Sequence, residues 1–142
     1  MKRKASAQWQ GGLKDGKGSV SSESGVLAGT PYSFSTRFED DKKGTNPEEL
    51  VAAAHAGCFT MALSGQLEKV NLKAESLNTT ATVTMEKGDA GFTVTEIMLD
   101  VSARIPGATE NAFKEAAEEA KKNCPISRLL NANITMNAKL ES

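Results

Sequence analysis

The stretch GTNPEELVAAAHAGCFTMAL, Gly44 to Leu63, constrains the fold more than any other part of the chain. Asn46 is placed to cap a helix, and Pro47 suits the first helical position because it has no N–H to leave unpaired. Glu48 and Glu49 then oppose the positive end of the helix dipole, and Asn46 and Glu49 stand at capping-box spacing. The residues that follow (Leu50, Val51, Ala52, Ala53, Ala54, Ala56, Cys58, Phe59, Met61, Ala62 and Leu63) are apolar nearly all round, the pattern of a helix packed on several faces. This pattern predicts a central helix from Pro47 to about Val70, with Asn71 as its stop.

Length and charge narrow the classes open to such a chain. At 142 residues and 39% hydrophobic content it suits one compact domain, residues 1–142, and 5% aromatic content means that small side chains fill much of the core. Seventeen Lys and Arg against eighteen Asp and Glu give a formal charge of -1, so no basic field draws nucleic acid or an anionic membrane. The basic start Met1, Lys2, Arg3, Lys4 leads into Ala5, Ser6, Ala7, Gln8 and Trp9 instead of an apolar h-region. The longest apolar run, Leu50 to Leu63, contains His55 and is shorter than a membrane span requires, so the expected location is the cytoplasm.

Before the central helix, residues 5–36 read as β structure punctuated by glycine, with a hairpin around GGLKDGKGS. YSFSTRF reads as a strand with Tyr32, Phe34 and Thr36 on one face and Arg37 on the other. After the helix, Leu77 to Met85 alternate as a strand, GDAG turns the chain, and a second strand runs to Ala103. Its apolar phase flips near Thr95 and Glu96, which suggests a β-bulge or a change of covering partner. A helix from about Thr109 to Lys122 carries Ala112, Phe113, Ala116, Ala117 and Ala120 as its apolar stripe. Asn123, Cys124 and Pro125 break it, a short helix Ile126 to Leu130 follows, and a strand Ile134 to Leu140 ends the order. The pattern is α+β, without the regular βαβ alternation of a parallel sheet.

Cys58 and Cys124 are too few for a disulfide scaffold and show no CxxC spacing or Cys/His zinc clustering, leaving buried small hydrophobes or a redox pair. A nucleophilic cysteine must be a thiolate, and Cys58, deep inside its helix, gains little from the dipole while burial raises its pKa. The required cation has to come from elsewhere. Arg37 is the candidate, a surface role being its alternative, with Glu48 or Glu49 able to grip the guanidinium in bidentate fashion. On one straight helix, Glu48 and Cys58 are separated by roughly 15 Å of axis. Either the helix is broken between them, or Glu48 meets the Cys58 of a second chain in a two-fold dimer. His55, three residues before Cys58, is either a base for it or a hydrogen-bonded packing residue.

GTNPEELVAAAHAGCF, followed about 65 residues later by NCPIS, closely resembles the OsmC/Ohr family of thiol-dependent organic hydroperoxide reductases, and the likeness covers essentially the whole chain. GKGSVSSESGVL and PYSFSTRFE look like the OsmC branch, the osmotically inducible proteins. The resemblance implies an intertwined OsmC-like homodimer in which long central helices are enclosed by antiparallel sheets, with active sites at the subunit interface. It matches Cys58 to the peroxidatic cysteine, Cys124 to the resolving cysteine, Arg37 to the arginine that stabilises the thiolate, and Glu48 to the carboxylate that holds that arginine. His55 occupies a position that is Tyr in Ohr-type sequences, a branch difference and not a base.

The implied chemistry oxidises Cys58 to a sulfenic acid, closes a Cys58 to Cys124 disulfide, and restores the thiols with an external dithiol, typically a lipoyl group on a carrier protein. No metal, haem or flavin is implied. The apolar residues Phe38, Phe59 and Met61 either line the space around Cys58, favouring an organic hydroperoxide over hydrogen peroxide, or are simply core. Two other classes compete: a stress-induced dimeric protein that binds a hydrophobic ligand, which would not need the full Arg37, Glu48, Cys58 and Cys124 set, and a Cys/His acyl-transfer enzyme, for which no orienting Asn or Asp is recognisable near His55.

Overall fold

Short polar strands and glycine turns build the first of two compact units in the computed structural model, which describes residues 1–141. This unit covers Met1–Leu50, and the second begins at Val51. Strands β1 (Ala5–Gln10), β2 (Lys17–Ser22) and β3 (Thr30–Tyr32) form an antiparallel sheet in that order, so the expected hairpin is present. Gly18 pairs with Trp9 on one side and Tyr32 on the other. A Cβ at Gly18 would press on both rings, whose centroids lie 5.3 Å apart.

The segment YSFSTRF departs from the expected strand. β3 stops at Tyr32, and Phe34–Phe38 forms a short helix, α1. The reason is local: the Ser33 side chain accepts from the Thr36 N–H while the Thr36 side chain accepts from the Ser33 N–H, a complete capping box. Helical spacing then puts Phe34 and Phe38 one turn apart, with ring centroids 5.0 Å from each other. Alternation of apolar and polar residues over so short a stretch fits a strand or one helical turn equally, and the cap decides.

The next loop returns to β3. A Cβ at Gly44 would collide with the Pro31 carbonyl, and the Thr45 N–H donates to that carbonyl oxygen at 2.8 Å. Asn46 caps the central helix α2 (Pro47–Glu68), accepting from the Glu49 N–H at 2.7 Å. The Glu49 carboxylate does not close the box; it accepts from the Thr45 hydroxyl at 2.8 Å.

In the second unit, α2 runs on to Glu68, and Asn71, at φ 59, turns the chain through the left-handed region as its stop. β4 (Ser76–Gly88) and β5 (Gly91–Arg104) form a long antiparallel hairpin. Thr84 lies opposite Glu96 and Met85 opposite Val94, so Thr95 is the extra residue of a bulge, which accounts for the phase flip.

Helices α3 (Glu110–Asn123) and α4 (Pro125–Leu129) then carry the chain to β6 (Asn133–Glu141), which pairs with β5 in parallel. The sheet is therefore mixed, correcting the expectation of antiparallel sheets throughout. A helical crossover supplies the chain length that a parallel neighbour demands, and a hairpin cannot.

Sheet register and helix periodicity converge on one core. Ile97, Leu99, Val101 and Ala103 of β5 point to the same face, opposite Ile134, Met136, Ala138 and Leu140 of β6. Phe59, Leu63 and Leu67 of α2 and Phe113, Ala117 and Ala120 of α3 join that cluster fully buried. His55, Phe59, Leu63 and Leu67 repeat every four residues and define the inward side of α2. The other side is less covered than an all-apolar pattern predicts: Ala53, Ala54 and Gly57 are exposed, and Met61 is 80% exposed. At 22 residues, α2 is long and apolar enough to cross a membrane by length and composition, unlike the run Leu50–Leu63 taken alone. Its inward side nevertheless belongs to a protein core.

Candidate active site

The two cysteines, 66 residues apart in sequence, meet in the second unit. Cys58 lies on α2 beside the core, and Cys124 occupies the joint between α3 and α4. Pro125 ends α3 and opens α4, which turns Cys124 inward as the N-cap residue; its Sγ accepts from the Ser127 N–H at 3.5 Å. The Cys58 and Cys124 sulfurs are 2.9 Å apart, and both are free thiols. Cys124 is buried and Cys58 partly so.

Their environments differ in sign. Burial, then the hydrogen bond with Cys124, pushes the Cys58 thiol up. Burial also works against the Cys124 thiolate, but hydrogen bonds from Cys58 and from the Ser127 amide and hydroxyl outweigh it and pull that thiol down. No positively charged side chain among the described residues acts on Cys58, so within this unit it lacks the positive group that would make it a thiolate.

His55 is fully buried, with Nε2 2.7 Å from Ser127 Oγ. Burial holds its pKa below the ordinary imidazole value, so it is neutral at pH 7. Of its two readings, the hydrogen-bonded packing residue fits this position. Ser127 was not singled out from sequence; its place three residues after an N-cap cysteine, in NCPIS, is the signal that marks it.

Arg37 and Glu48 meet in the first unit. Arg37 Nε donates to Glu48 Oε1 and Oε2 at 3.1 and 3.2 Å, and Nη2 donates to Oε1 at 2.8 Å. Of the two glutamates left open by sequence, Glu48 makes this grip, because Glu49 is turned to Thr45. The Arg37 guanidinium also stands over the Phe38 ring, 5.1 Å from its centroid. A cavity of about 270 Å³ adjoins it, lined by Trp9, Leu13, Tyr32, Phe34, Arg37 and Phe38.

Phe38, considered from sequence as lining near Cys58, faces this cavity beside Arg37, which Cys58 does not line. Phe59 takes the core reading, fully buried in the second unit, where its place on the inward side of α2 puts it. α2 runs unbroken from Glu48 through Cys58, which removes a broken helix from the two alternatives left by their spacing.

The fold and the facing thiols define an α+β protein with a two-cysteine centre. The family model described as OsmC-like protein matches residues 39–139, and the chain belongs to that family. It is 49% identical to Peroxiredoxin OsmC of Escherichia coli over 140 residues, covering 99% of this chain and 97% of the relative. It is 29% identical to the organic hydroperoxide resistance protein OhrB of Bacillus subtilis over 133 residues, covering 87% and 89%. The solved structure of an OsmC-like protein from Vibrio cholerae superposes with a TM-score of 0.78 at 17% identity, covering 97% of this chain and 99% of that one, a likeness of fold.

Proposed function

We propose that this protein is a thiol peroxidase that reduces organic hydroperoxides to alcohols, acting as a homodimer of one domain per chain, residues 1–142, in the cytoplasm. The observation that carries the reading is the 2.9 Å approach of the Cys58 and Cys124 sulfurs, because a sulfenic acid formed on one lies within reach of the other. The Cys58 thiolate attacks the distal oxygen of ROOH; the O–O bond breaks, sulfur is oxidised by two electrons, and the alkoxide leaves and is protonated to ROH. Cys124 then displaces hydroxide from the Cys58 sulfenic acid and closes the disulfide. An external dithiol, a lipoyl group on a carrier protein, reduces it by exchange.

In this reading Arg37, held by Glu48, supplies the cation that Cys58 lacks and stabilises the developing alkoxide. Delivery by a second copy agrees with the exposed apolar residues Ala53, Ala54 and Met61 on α2, which a partner helix would cover. The aromatic cavity beside Arg37 suits an organic R group.

Thiol loss tests the reading directly. One equivalent of cumene hydroperoxide should consume both thiols rapidly and lower the intact mass by two hydrogen atoms, faster than an equal dose of hydrogen peroxide does. Two unreactive thiols would overturn it in favour of a protein that binds hydrophobic ligands.

Arg37→Lys keeps a charge but loses the planar two-point grip, so the first oxidation should slow by about 10²-fold. Stopped-flow thiol loss reads this step, and an unchanged rate would remove Arg37 from the chemistry.

A further inference from the structure

Behind Cys124 lies a buried hydrogen-bond chain that peroxide chemistry at Cys58 does not use. His55 Nε2 is 2.7 Å from Ser127 Oγ, and Ser127 Oγ is 3.6 Å from Cys124 Sγ, which also accepts the Ser127 N–H. A serine hydroxyl has one proton to give. If it goes to His55 Nε2, the imidazole N–H is left on Nδ1, which is buried with no hydrogen-bond partner among the described residues. If it goes to Cys124, His55 carries its proton on Nε2 and donates to Ser127, and the unpartnered Nδ1 is only a lone pair. Buried donors without partners are the rarer case, so the second arrangement is favoured. It forms an unbroken run of donors, from His55 Nε2–H through Ser127 Oγ–H to the sulfur.

We propose that His55 and Ser127 are positioning residues for the resolving step: neutral His55 orients the Ser127 hydroxyl, and Ser127 holds Cys124 as the thiolate that attacks the Cys58 sulfenic acid. The proposal rests on the peroxidase reading and assigns a division of labour within it. In the step, the Cys124 thiolate forms the S–S bond, the Cys58 S–O bond breaks, and hydroxide departs. The Cys124 sulfur is oxidised by one electron and the Cys58 sulfur reduced by one. The groups acting on Cys124 are Cys58 from α2 and the Ser127 and Ile126 groups of α4, with His55 acting through Ser127; no charged side chain among the described residues contributes to its lowered pKa.

Sequential stopped-flow separates this step from the first. Enzyme is mixed with one equivalent of cumene hydroperoxide, sulfenic acid is trapped with a dimedone-type reagent at short times, and disulfide is followed by non-reducing mass. With Ser127→Ala, disulfide closure at pH 7 should slow about tenfold and its pH profile should move about one unit alkaline, the equivalent of one pKa unit on Cys124. His55→Leu should move the profile the same way. His55→Gln, whose amide nitrogen donates from nearly the Nε2 position, and Ser127→Thr should restore much of it.

Altered packing alone would change the rate without moving the pH profile. An unmoved profile in both Ser127→Ala and His55→Leu, or a failure of the conservative pair to restore it, overturns the inference. Absence of both trapped sulfenic acid and disulfide in the unsubstituted protein overturns the peroxidase reading instead. As a readout independent of peroxide, thiolate absorbance near 240 nm in Cys58→Ser should titrate at higher pH when Ser127→Ala is added.

Discussion

Serine at position 58 should lower steady-state turnover of an organic hydroperoxide by on the order of 10³-fold or more, because an alkoxide at the same place is almost never populated near pH 7 and an alcohol does not attack the O–O bond. The contrast with position 124 gives the result its meaning. Cys124→Ser keeps the attacking sulfur, so it should release one equivalent of alcohol per chain in a burst and then stall, its sulfenic acid having no thiol 2.9 Å away to condense with. Rapid-quench analysis of alcohol formation distinguishes the two. Full steady-state activity in either variant would sink the pairing, and a burst in Cys58→Ser with none in Cys124→Ser would reverse the roles.

Phe59→Ala should be the most damaging single change to stability. The ring is fully buried, and it packs in the cluster built by Leu63, Leu67, Ile97, Leu99 and Phe113. Truncation removes apolar contact and leaves a cavity that a sheet on one side and helices around it cannot collapse to fill, for a loss of about 3–5 kcal/mol. A fall in Tm on the order of 10 °C should follow. Chemical denaturation checks it by a lower midpoint at constant m-value, and an unshifted midpoint would mean that this side of α2 is not core. Phe59 adjoins Cys58 in sequence, so the same residue separates two uses of one helix: one side holds the fold and the neighbouring position carries a thiol.

The amount legible from sequence varied with the range of the interaction that decides each feature. Asn46, Pro47 and Glu48 declare the start of α2, and the left-handed Asn71 stops the chain close to where it was expected. The bulge at Thr95 was visible as a phase flip, because a strand has a strict period of two and an extra residue must break it. α1 was misread because one turn of helix and a short strand give the same alternation, and the reciprocal Ser33 and Thr36 hydrogen bonds that choose between them are a matter of side-chain geometry. The lining of the cavity beside Arg37 was largely missed, since Trp9 and Tyr32 arrive there by strand pairing from distant parts of the first unit.

Within the site, sequence alone determined the residue types and the spacing of the two thiols, and that a reactive Cys58 would need a cation from beyond its own helix. It also offered Glu48 and Glu49, in the first turn of α2, as candidates to hold Arg37. The residues left Glu48 and Glu49 open and the family resemblance pointed to Glu48; tertiary structure supplies the reason, because Thr45 engages Glu49 while Glu48 grips Arg37. Only tertiary structure set β6 parallel to β5 and brought Cys124 to Cys58 across 66 residues of chain. It alone placed Ser127 between a buried histidine and a buried sulfur. The division has one physical cause: caps, periods and turns are settled by neighbours in sequence, whereas strand direction, thiol pairing and the choice of hydrogen-bond partner depend on which distant surfaces the core draws together.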